Sequence, residues 1–588
     1  MKSFLKTLLA AFIGALAAIT ISFFVLFGMI GALVSLGGSS EPAALSHEAI
    51  LKIDLSKPVT ERGSNDPFQS ISLTSFRLGS EESTGILAAV NAIEKAAADP
   101  NIKFIYINAS GVAMSMTALE EIRDALARFR DSGKPVIAYA DNFSQGGYYV
   151  ASVADKVYMN RDGQAIIAGI GMNMMFFKDL LDKLGIEFQL IRHGKFKAAA
   201  EQFVSNDISK ENREQNQVMM DAIWECWATE ICNSRELEVN DFNRLVNTLS
   251  LGNAESMVEY GLVNETVTEQ QMADNLCTLA SVEKEEELKF ISLAKYAKIA
   301  STQNFKIKDK IAVIYAEGEI SMDGQEGLVA KRLCPVIRKV AGDSSVKAVV
   351  LRVNSPGGDA MAAELIRLEL EELRESKPLI VSFGDYAASG GYWISANSDR
   401  IFTDRTTLTG SIGVFSMAVN YGRLLDRHLD INSVSLKTHE HSDAFMGVRP
   451  LNQEEIEYFQ DAVEDIYTKF TTLVAEGRNL NVEYVDSVGQ GRVWAGSMAK
   501  EIKLADETGG IKKAIEYAAM LGGVTEYRVV EYPNMESSMD KFLKMIEGSE
   551  STVSMTPQGM IEECYSFLKS QNKIEHLARV PYLYEFAY

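Results

Sequence analysis

The sequence predicts an α/β protein made of two tandem repeats, each a mainly parallel sheet with flanking helices, after an N-terminal transmembrane helix. Three observations lead to this prediction. The chain opens on a long uncharged apolar run, several motifs recur at an offset of 243 or 244 residues, and each copy alternates short apolar runs with helical patterns. Alternating strands and helices are typical of a parallel sheet joined by helical crossovers.

Length and composition fit a folded protein of two or more domains. The 588 residues exceed what one core usually supports, and 47 % of them are hydrophobic and 23 % charged. The net charge of -22 repels phosphates, which argues against nucleic acid as a partner. The five cysteines are scattered and show no C-x-x-C spacing. We therefore expect free thiols, and the sequence predicts neither a metal site nor a cofactor.

The N-terminal segment has the features of a membrane anchor. Residues 7–40 carry no charge, and the apolar run 8–36 is longer than the roughly 20 residues that span a bilayer. Lys2 and Lys6 precede it, which predicts a cytoplasmic N-terminus and an exported remainder. The alternative is a cleaved signal peptide, whose apolar region is usually about 7–15 residues long. The length of the run favours an uncleaved anchor.

Each copy repeats the same order of elements. The first copy contains a predicted strand at 104–107, a helix at 118–129, a strand at 136–140 and a helix at 146–154. The second copy contains a strand at 348–353, a helix at 361–373, a strand at 379–383 and a helix at 390–396. The run Val349-Val350-Leu351 is continuously apolar, as expected for a parallel strand buried on both faces.

These patterns divide the chain into five predicted parts. They are an anchor at 1–45, a first repeat at 46–280, a linker helix region at 281–308, a second repeat at 309–527 and a C-terminal extension at 528–588. The linker is rich in Glu, Lys and Ala, and the extension is rich in Met and Ser.

The second copy contains a candidate nucleophile that the first copy has lost. Ser411 lies in the uncharged stretch 407–414, Thr-Leu-Thr-Gly-Ser-Ile-Gly-Val, where flanking glycines allow a close approach to the serine. The corresponding position of the first copy is Gly169. The second copy also carries Asn-Ser-Pro-Gly-Gly at 354–358 after a predicted strand, whereas the first copy has lost that double glycine.

The first copy keeps a lysine that the second copy lacks. Lys197 lies in Gly-Lys-Phe-Lys-Ala-Ala-Ala-Glu at 194–201, and the matching stretch of the second copy has no lysine at that position. A desolvated, neutral lysine can accept the proton of a serine hydroxyl. The backbone N–H groups of Gly358 and Ile412 could stabilise the oxyanion that develops during acyl transfer. These are the parts of a Ser–Lys hydrolase divided between two copies.

Taken together, these motifs resemble the long, duplicated form of signal peptide peptidase A, a family of membrane-anchored bacterial serine proteases related in fold to the crotonase and Clp-protease group. The resemblance rests on Asn-Ser-Pro-Gly-Gly at 354–358, Ser-Gly-Gly-Tyr at 389–392, Thr-Gly-Ser-Ile-Gly at 409–413, the lysine motif at 194–201 and Gly-Arg-Val-Trp at 491–494. It extends from the anchor to about residue 525.

The resemblance implies a role for each matching residue. It implies Ser411 as nucleophile, Lys197 as general base, Gly358 in the oxyanion hole and Ser433 as a hydroxyl that hydrogen-bonds the lysine. It further implies a homotetramer on the periplasmic side of the inner membrane, whose substrates are extended hydrophobic peptides such as cleaved signal peptides.

Other interpretations of the same residues stay open at this point. Lys195 is the nearest rival to Lys197, and His439 and His441 could serve a Ser–His mechanism or bind a metal. Two other functions are an acyl-CoA-processing enzyme of the related fold and a non-catalytic membrane scaffold. The first needs a coenzyme A site and acidic acid/base groups, and the sequence shows no such pair near the glycines at 354–358. Retention of Ser411 and Lys197 in complementary copies argues against the second.

Overall fold

The computed structural model describes residues 45, 47–63, 83–301, 304–324, 327–533 and 576–579. The predicted membrane segment 7–40 lies outside these residues. Across the described ranges, no helix is both long and apolar enough to cross a bilayer. The chain divides into two compact units, Met1–His47 and Glu48–Tyr588, and the second contains all the elements below.

Twenty-four strands and eighteen α-helices are assigned within the described residues. The strands are β1 (Ala49–Asp54), β2 (Val59–Thr60), β3 (Thr84–Gly85), β4 (Ile102–Asn108), β5 (Val136–Ala140), β6 (Phe143–Ser144), β7 (Lys156–Asn160), β8 (Ala165–Ile166), β9 (Glu187–His193), β10 (Glu265–Val267), β11 (Phe290–Ser292), β12 (Lys310–Glu317), β13 (Ile320–Ser321), β14 (Leu328–Val329), β15 (Val346–Ser355), β16 (Gly357–Asp359), β17 (Leu379–Ala388), β18 (Arg400–Thr403), β19 (Leu408–Gly410), β20 (Val414–Asn420), β21 (Val493–Ala495), β22 (Glu507–Thr508), β23 (Arg528–Tyr532) and β24 (His576–Arg579). The α-helices are Ile86–Ala98, Met116–Arg130, Gln145–Ala151, Lys178–Leu184, Glu201–Val204, Lys210–Arg235, Val239–Asn247, Ala254–Glu259, Glu269–Ala280, Leu293–Ala300, Ala330–Gly342, Ala360–Ser376, Gly390–Trp393, Gly422–His428, Gln453–Arg478, Val482–Val488, Gly496–Glu501 and Ile511–Leu521.

Each copy forms its own parallel sheet. The first sheet has six strands in the order β10-β7-β5-β4-β1-β11, five from the first copy and β11 from the linker, and every neighbouring pair is parallel. The second copy gives the order β21-β19-β17-β15-β12-β23, with β18 and β22 branching from β17. Only the pair β19–β21 of this sheet is antiparallel. The predicted tandem α/β fold with parallel sheets is therefore confirmed.

The predicted elements recur with shifted ends. Strand β5 coincides with the predicted strand 136–140, and the helix predicted at 118–129 runs from Met116 to Arg130. The latter begins earlier because the hydroxyl of Ser115 accepts the backbone N–H of Ala118 and caps the first turn. Strand β17 continues five residues beyond the predicted end, Phe383. Its last residue, Ala388, lies two positions before the start of helix Gly390–Trp393.

A third sheet is shared between the two copies. Its order is β14-β13-β16-β24-β20-β9, and β9 comes from the first copy whereas β20 comes from the second. These two strands pair antiparallel over seven residues, from His193 opposite Val414 to Glu187 opposite Asn420. This pairing places the loop that carries Lys197 and the loop that carries Ser411 at the same end of the sheet.

The predicted linker and extension both contribute strands. Within the linker, β11 pairs with β1 of the first sheet and is followed by helix Leu293–Ala300. Within the extension, β23 pairs with β12 of the second sheet, and β24 enters the shared sheet.

A buried arginine joins the two copies. Arg352 on β15 is 1 % exposed, and its guanidinium donates to the carboxylates of Glu61 at 2.7 Å and Glu121 at 2.8 Å, both from the first copy. It also donates to the hydroxyl of Ser382 at 2.9 Å. Charges taken out of water are tolerated only when paired in this way, so the cluster fixes how the copies meet.

Removing this arginine should destabilise the fold strongly. Arg352→Ala leaves two buried carboxylates without their cation, and we expect a loss of about 3–5 kcal/mol in the free energy of unfolding. Urea denaturation measures it. The control is Lys331→Ala, because Lys331 and its partner Asp323 are 64 % and 71 % exposed and such pairs contribute little. Equal, small effects of both substitutions would contradict this account.

Candidate active site

Two serines follow neighbouring strands of the second sheet. Ser389 comes directly after β17, and Ser411 comes directly after β19. These strands are parallel and pair Ala388 with Gly410, so the two serines lie side by side at the carboxyl ends of their strands. The backbone N–H of Ser389 donates to the carbonyl of Gly410 at 2.8 Å. Both serines are fully buried.

Ser389 has a strained backbone. Its φ of 55° and ψ of -115° are rare for a residue with a side chain, and it occupies the sharp turn between β17 and helix Gly390–Trp393. Such a turn projects a hydroxyl from the end of a sheet, as in the nucleophile elbow of other hydrolases. Ser411 also has a positive φ, 50°, and its N–H donates to the carbonyl of Arg492 at 2.7 Å.

Lys197 reaches these serines from the first copy. The segment that carries it follows β9, whose last residue, His193, pairs with Val414 just beyond Ser411. Residues 490–492 lie between the two loops. The carbonyl of Gln490 accepts the N–H of Phe196 at 2.9 Å, and the N–H of Gly491 donates to the carbonyl of Ile412 at 2.7 Å.

Only a glycine fits at position 491. A Cβ there would lie 2.5 Å from the Cβ of Lys197, and the φ of Gly491 is 78°. Gln215 braces the same arrangement, because its side-chain amide donates to the carbonyl of Phe196 at 3.0 Å and accepts the N–H of Val493 at 3.1 Å. The lysine is therefore placed by backbone contacts that leave little room for movement.

The amine of Lys197 is buried among serine oxygens. Its Nζ lies 2.8 Å from Ser389 Oγ, 3.1 Å from Ser411 Oγ and 3.1 Å from the carbonyl oxygen of Ser411. The side chain is 0 % exposed. Burial lowers the pKa of Lys197 well below the ordinary lysine value of 10.5, because the charged form loses its hydration. Such an amine can serve as a base.

Gly357 and Gly358 belong to strand β16 of the shared sheet, which lies beside the lysine and the two serines. Gly358 on β16 has a φ of 156°, and a Cβ there would lie 2.0 Å from the carbonyl oxygen of Ile320. The neighbouring helix Gly390–Trp393 packs against β16. Ile412 is fully buried directly after Ser411.

Both copies match Peptidase family S49, over residues 128–283 and 371–525, which together exceed half of the chain. The chain belongs to Peptidase family S49. It is similar to Protease 4 of Haemophilus influenzae, with 34 % identity over 83 % of this chain and 81 % of that protein. It is also similar to Protease 4 of Salmonella typhi, with 31 % identity over 90 % and 87 % of the two chains. Serine protease SPPA of Arabidopsis thaliana chloroplasts is 29 % identical over 80 % and 71 %.

Membership of family S49 makes this chain a serine peptidase, a hydrolase. A solved structure, ClpP1 from Listeria monocytogenes, aligns with 34 % of this chain and 94 % of its own, with 15 % identity and a TM-score of 0.23. The fold assigned to the S49 chain rests on its own two parallel sheets rather than on that alignment.

The other residues singled out in the sequence lie elsewhere. Lys195 is exposed, and its amine lies 5.1 Å from the ring centre of Phe196. His439 is exposed, and His441 contacts the carboxylate of Glu455 at 3.0 Å. Ser433 is exposed too, so it does not supply the hydroxyl beside the fully buried lysine. Within the described part of the chain, the side-chain hydroxyls bonded to Lys197 are those of Ser389 and Ser411.

In the sequence, Ser389 belongs to the Ser-Gly-Gly-Tyr motif at 389–392, to which no catalytic role was assigned. Its signal was present in the comparison of the copies, because the first copy has Gln145 before the corresponding Gly-Gly pair. In the structure Gln145 Oε1 accepts the N–H groups of Ala168 at 3.1 Å and Gly169 at 2.9 Å. The first copy of this S49 peptidase therefore has lost both serines, and an amide side chain ties its two loops together instead.

A substitution at position 491 tests how strongly activity depends on the position of the Lys197 side chain. Gly491→Ala should lower kcat/KM by about 100-fold, because its Cβ displaces the lysine side chain by a fraction of the reacting distance. The assay is hydrolysis of a fluorogenic hydrophobic peptide.

The control for that variant is Gly523→Ala. Gly523 has a similar φ of 67°, but a Cβ there meets nothing within 4 Å, so it carries the backbone strain alone. We expect near-normal kcat/KM for it. If the Gly491→Ala enzyme were as active as the control, the contact with Lys197 would have no effect on kcat/KM.

Proposed function

We propose that this peptidase is a membrane-anchored endopeptidase in which Lys197 is the general base and Ser411 the nucleophile. The single observation that carries the proposal is the 3.1 Å contact between Lys197 Nζ and Ser411 Oγ in a fully buried setting. A base and a hydroxyl within hydrogen-bond reach meet the geometric requirement for proton abstraction.

The hydrogen-bonding capacity of a neutral amine supports this assignment. A neutral lysine has two N–H donors and one lone pair, and the carbonyl of Ser411 can only accept. One N–H therefore goes to that carbonyl at 3.1 Å. The second N–H and the lone pair are left for the two hydroxyls, and the hydroxyl that donates to the lone pair becomes the nucleophile.

We assign that role to Ser411. Its hydroxyl lies within hydrogen-bond reach of the amine, and it lies in the copy that lacks the lysine, as the sequence predicted. The hydroxyl of Ser389 then accepts the second N–H of the amine at 2.8 Å. This arrangement gives Ser389 the supporting role that the sequence assigned to Ser433.

The reaction follows from these positions. Lys197 takes the Ser411 proton while the serine oxygen attacks the peptide carbonyl, and the resulting ammonium then protonates the leaving amine. The neutral lysine next activates a water that releases the acyl group. The N–H groups of Gly358 and Ile412 would hold the oxyanion, since Ile412 directly follows the nucleophile.

The proposal also covers the substrates of the enzyme and its location in the cell. We assign the enzyme to extended hydrophobic peptides, such as remnant signal peptides, in keeping with the family resemblance of its motifs. The apolar run 8–36 after Lys2 and Lys6 supports a single-pass anchor in the inner membrane, with the catalytic region on the periplasmic side. A homotetramer is part of the same proposal.

Replacing the three polar side chains of the site should not lower kcat equally. Ser411→Ala and Lys197→Met should each lower kcat by about four orders of magnitude or more, as for other members of a catalytic unit. Ser389→Ala removes one hydrogen bond to the amine and should lower kcat by about tenfold. The measurement is steady-state hydrolysis by purified variants whose melting temperatures match the parent.

The opposite order of effects would reverse the assignment. An inactive Ser389→Ala enzyme together with an active Ser411→Ala enzyme would make Ser389 the nucleophile. Normal turnover by Lys197→Met would remove the lysine from the mechanism altogether.

The pH dependence should report the buried amine. Lys197 accepts a proton only when neutral, so kcat/KM should rise with pH and level off above the pKa of the free enzyme. Because burial lowers that pKa well below 10.5, the midpoint should lie well below 10.5 as well. Lys195→Met, which removes an exposed amine, should leave the profile unchanged. A midpoint close to the ordinary lysine value would contradict a desolvated base.

A further inference from the structure

We propose that Tyr467 is a positioning residue for peptide hydrolysis, because its ring and its hydroxyl together hold the lysine loop, residues 194–197, in place. The inference deepens the proposed function and rests on it, since it takes Lys197 as the general base. Tyr467 lies on helix Gln453–Arg478 of the second copy and is 5 % exposed. It acts on the amine through neighbouring residues.

The ring of Tyr467 packs against the residue that precedes the lysine loop. That residue is His193, the last of β9, and the centres of the two rings lie 3.7 Å apart with their planes inclined by 19°. Glu464 lies nearly one turn earlier on the helix that carries Tyr467, and its carboxylate lies 2.5 Å from Nδ1 of His193. The imidazole is therefore held on its face by the phenol and at its edge by the carboxylate, and this fixes the start of the loop.

The hydroxyl of Tyr467 supports the lysine loop from a second direction. It accepts the backbone N–H of Gln490 at 3.2 Å and donates to Oδ1 of Asp486 at 2.5 Å. Gln490 has a φ of 54°, which is uncommon for a residue with a side chain. Its carbonyl accepts the N–H of Phe196, the residue before Lys197, at 2.9 Å. A shift of the Gln490 backbone would therefore move the lysine.

The phenol keeps its proton at the pH values at which a desolvated lysine is neutral. Burial, followed by the hydrogen bond to Asp486, raises the pKa of Tyr467 above its ordinary value of 10.0. At neutral and mildly alkaline pH the hydroxyl can therefore donate one hydrogen bond and accept another at the same time.

The first copy carries a different side chain at the equivalent position. The two helices concerned lie 243 residues apart at both ends, which is the repeat offset, and this aligns Trp224 with Tyr467 and Asn243 with Asp486. Trp224 donates to Asn243 at 2.8 Å, but an indole N–H cannot accept. Trp224 and Asn243 line a cavity of about 380 Å³. The hydroxyl that both donates and accepts is thus found in the copy whose helix supports the Lys197 loop.

Removal of the hydroxyl alone tests the proposal in steady-state hydrolysis of a fluorogenic hydrophobic peptide. Tyr467→Phe keeps the ring against His193 but loses both hydrogen bonds, so kcat should fall about tenfold while KM stays within about twofold. The control is Tyr484→Phe, because the Tyr484 hydroxyl donates at 3.2 Å to the carbonyl of Ile502 rather than to residues 490–492. We expect a normal kcat for the control. A Tyr467→Phe enzyme with the kcat of the control, or with its loss confined to KM, would overturn the proposal.

A double-variant cycle separates positioning of the lysine from a general loss of structure. Gly491→Ala already displaces the Lys197 side chain, so Tyr467→Phe should lower kcat/KM by less than about threefold further in that enzyme. If the two losses multiply instead, Tyr467 acts independently of the lysine and the proposal is overturned.

A further pair of variants leaves Tyr467 unchanged. Asp486→Asn keeps a side-chain oxygen that can accept the phenol O–H, whereas Asp486→Ala removes it. We expect Asp486→Ala to lower kcat about as much as Tyr467→Phe does, and Asp486→Asn to retain most of the parent kcat. Equal kcat values for the two Asp486 variants would overturn the proposal.

Lys197→Met distinguishes a failure of this inference from a failure of the proposed function. Normal turnover by Lys197→Met would remove the lysine from the mechanism, and the positioning role of Tyr467 would fall with it. An inactive Lys197→Met enzyme together with a normal Tyr467→Phe enzyme would contradict the positioning role alone.

Discussion

The structure depends on keeping one amine out of water. Lys197 is fully buried, and the described groups around its Nζ are serine oxygens rather than carboxylates. Its pKa falls because the charged form is poorly solvated there. The unfolded chain binds this proton more tightly than the folded protein does. The site therefore costs folding free energy as pH falls below the unfolded lysine pKa of about 10.4, and the remainder of the fold must supply it.

The duplication explains why the site is divided between two parts of the chain. Each copy has lost what the other retains: the first has Gln145 and Gly169 where the second has its serines, and the second lacks the lysine. Lysine and serines meet only because β9 pairs with β20 and because Arg352 holds carboxylates of the first copy. A buried ion cluster adds little net stability, but it penalises every other way of docking the copies.

Much of this organisation follows from the sequence. The repeat offset and the alternation of apolar runs predicted two parallel sheets, and the loss of Ser411 and Lys197 from opposite copies predicted a composite site. No pattern in the sequence assigned a role to Ser389, because its strained φ and ψ arise only where β17 meets the following helix. It also could not predict β24, since its pairing with β16 and β20 joins residues far apart in the chain and leaves no local pattern.

The most direct test of the central claim is to identify the atom that becomes acylated. The full-length chain is treated with a serine-directed acylating probe at a pH where Lys197 is neutral, and the modified residue is located by peptide mass spectrometry. The account predicts modification at Ser411, retained in Ser389→Ala and lost in Lys197→Met. Modification at Ser389, or labelling that persists without the lysine, would contradict it.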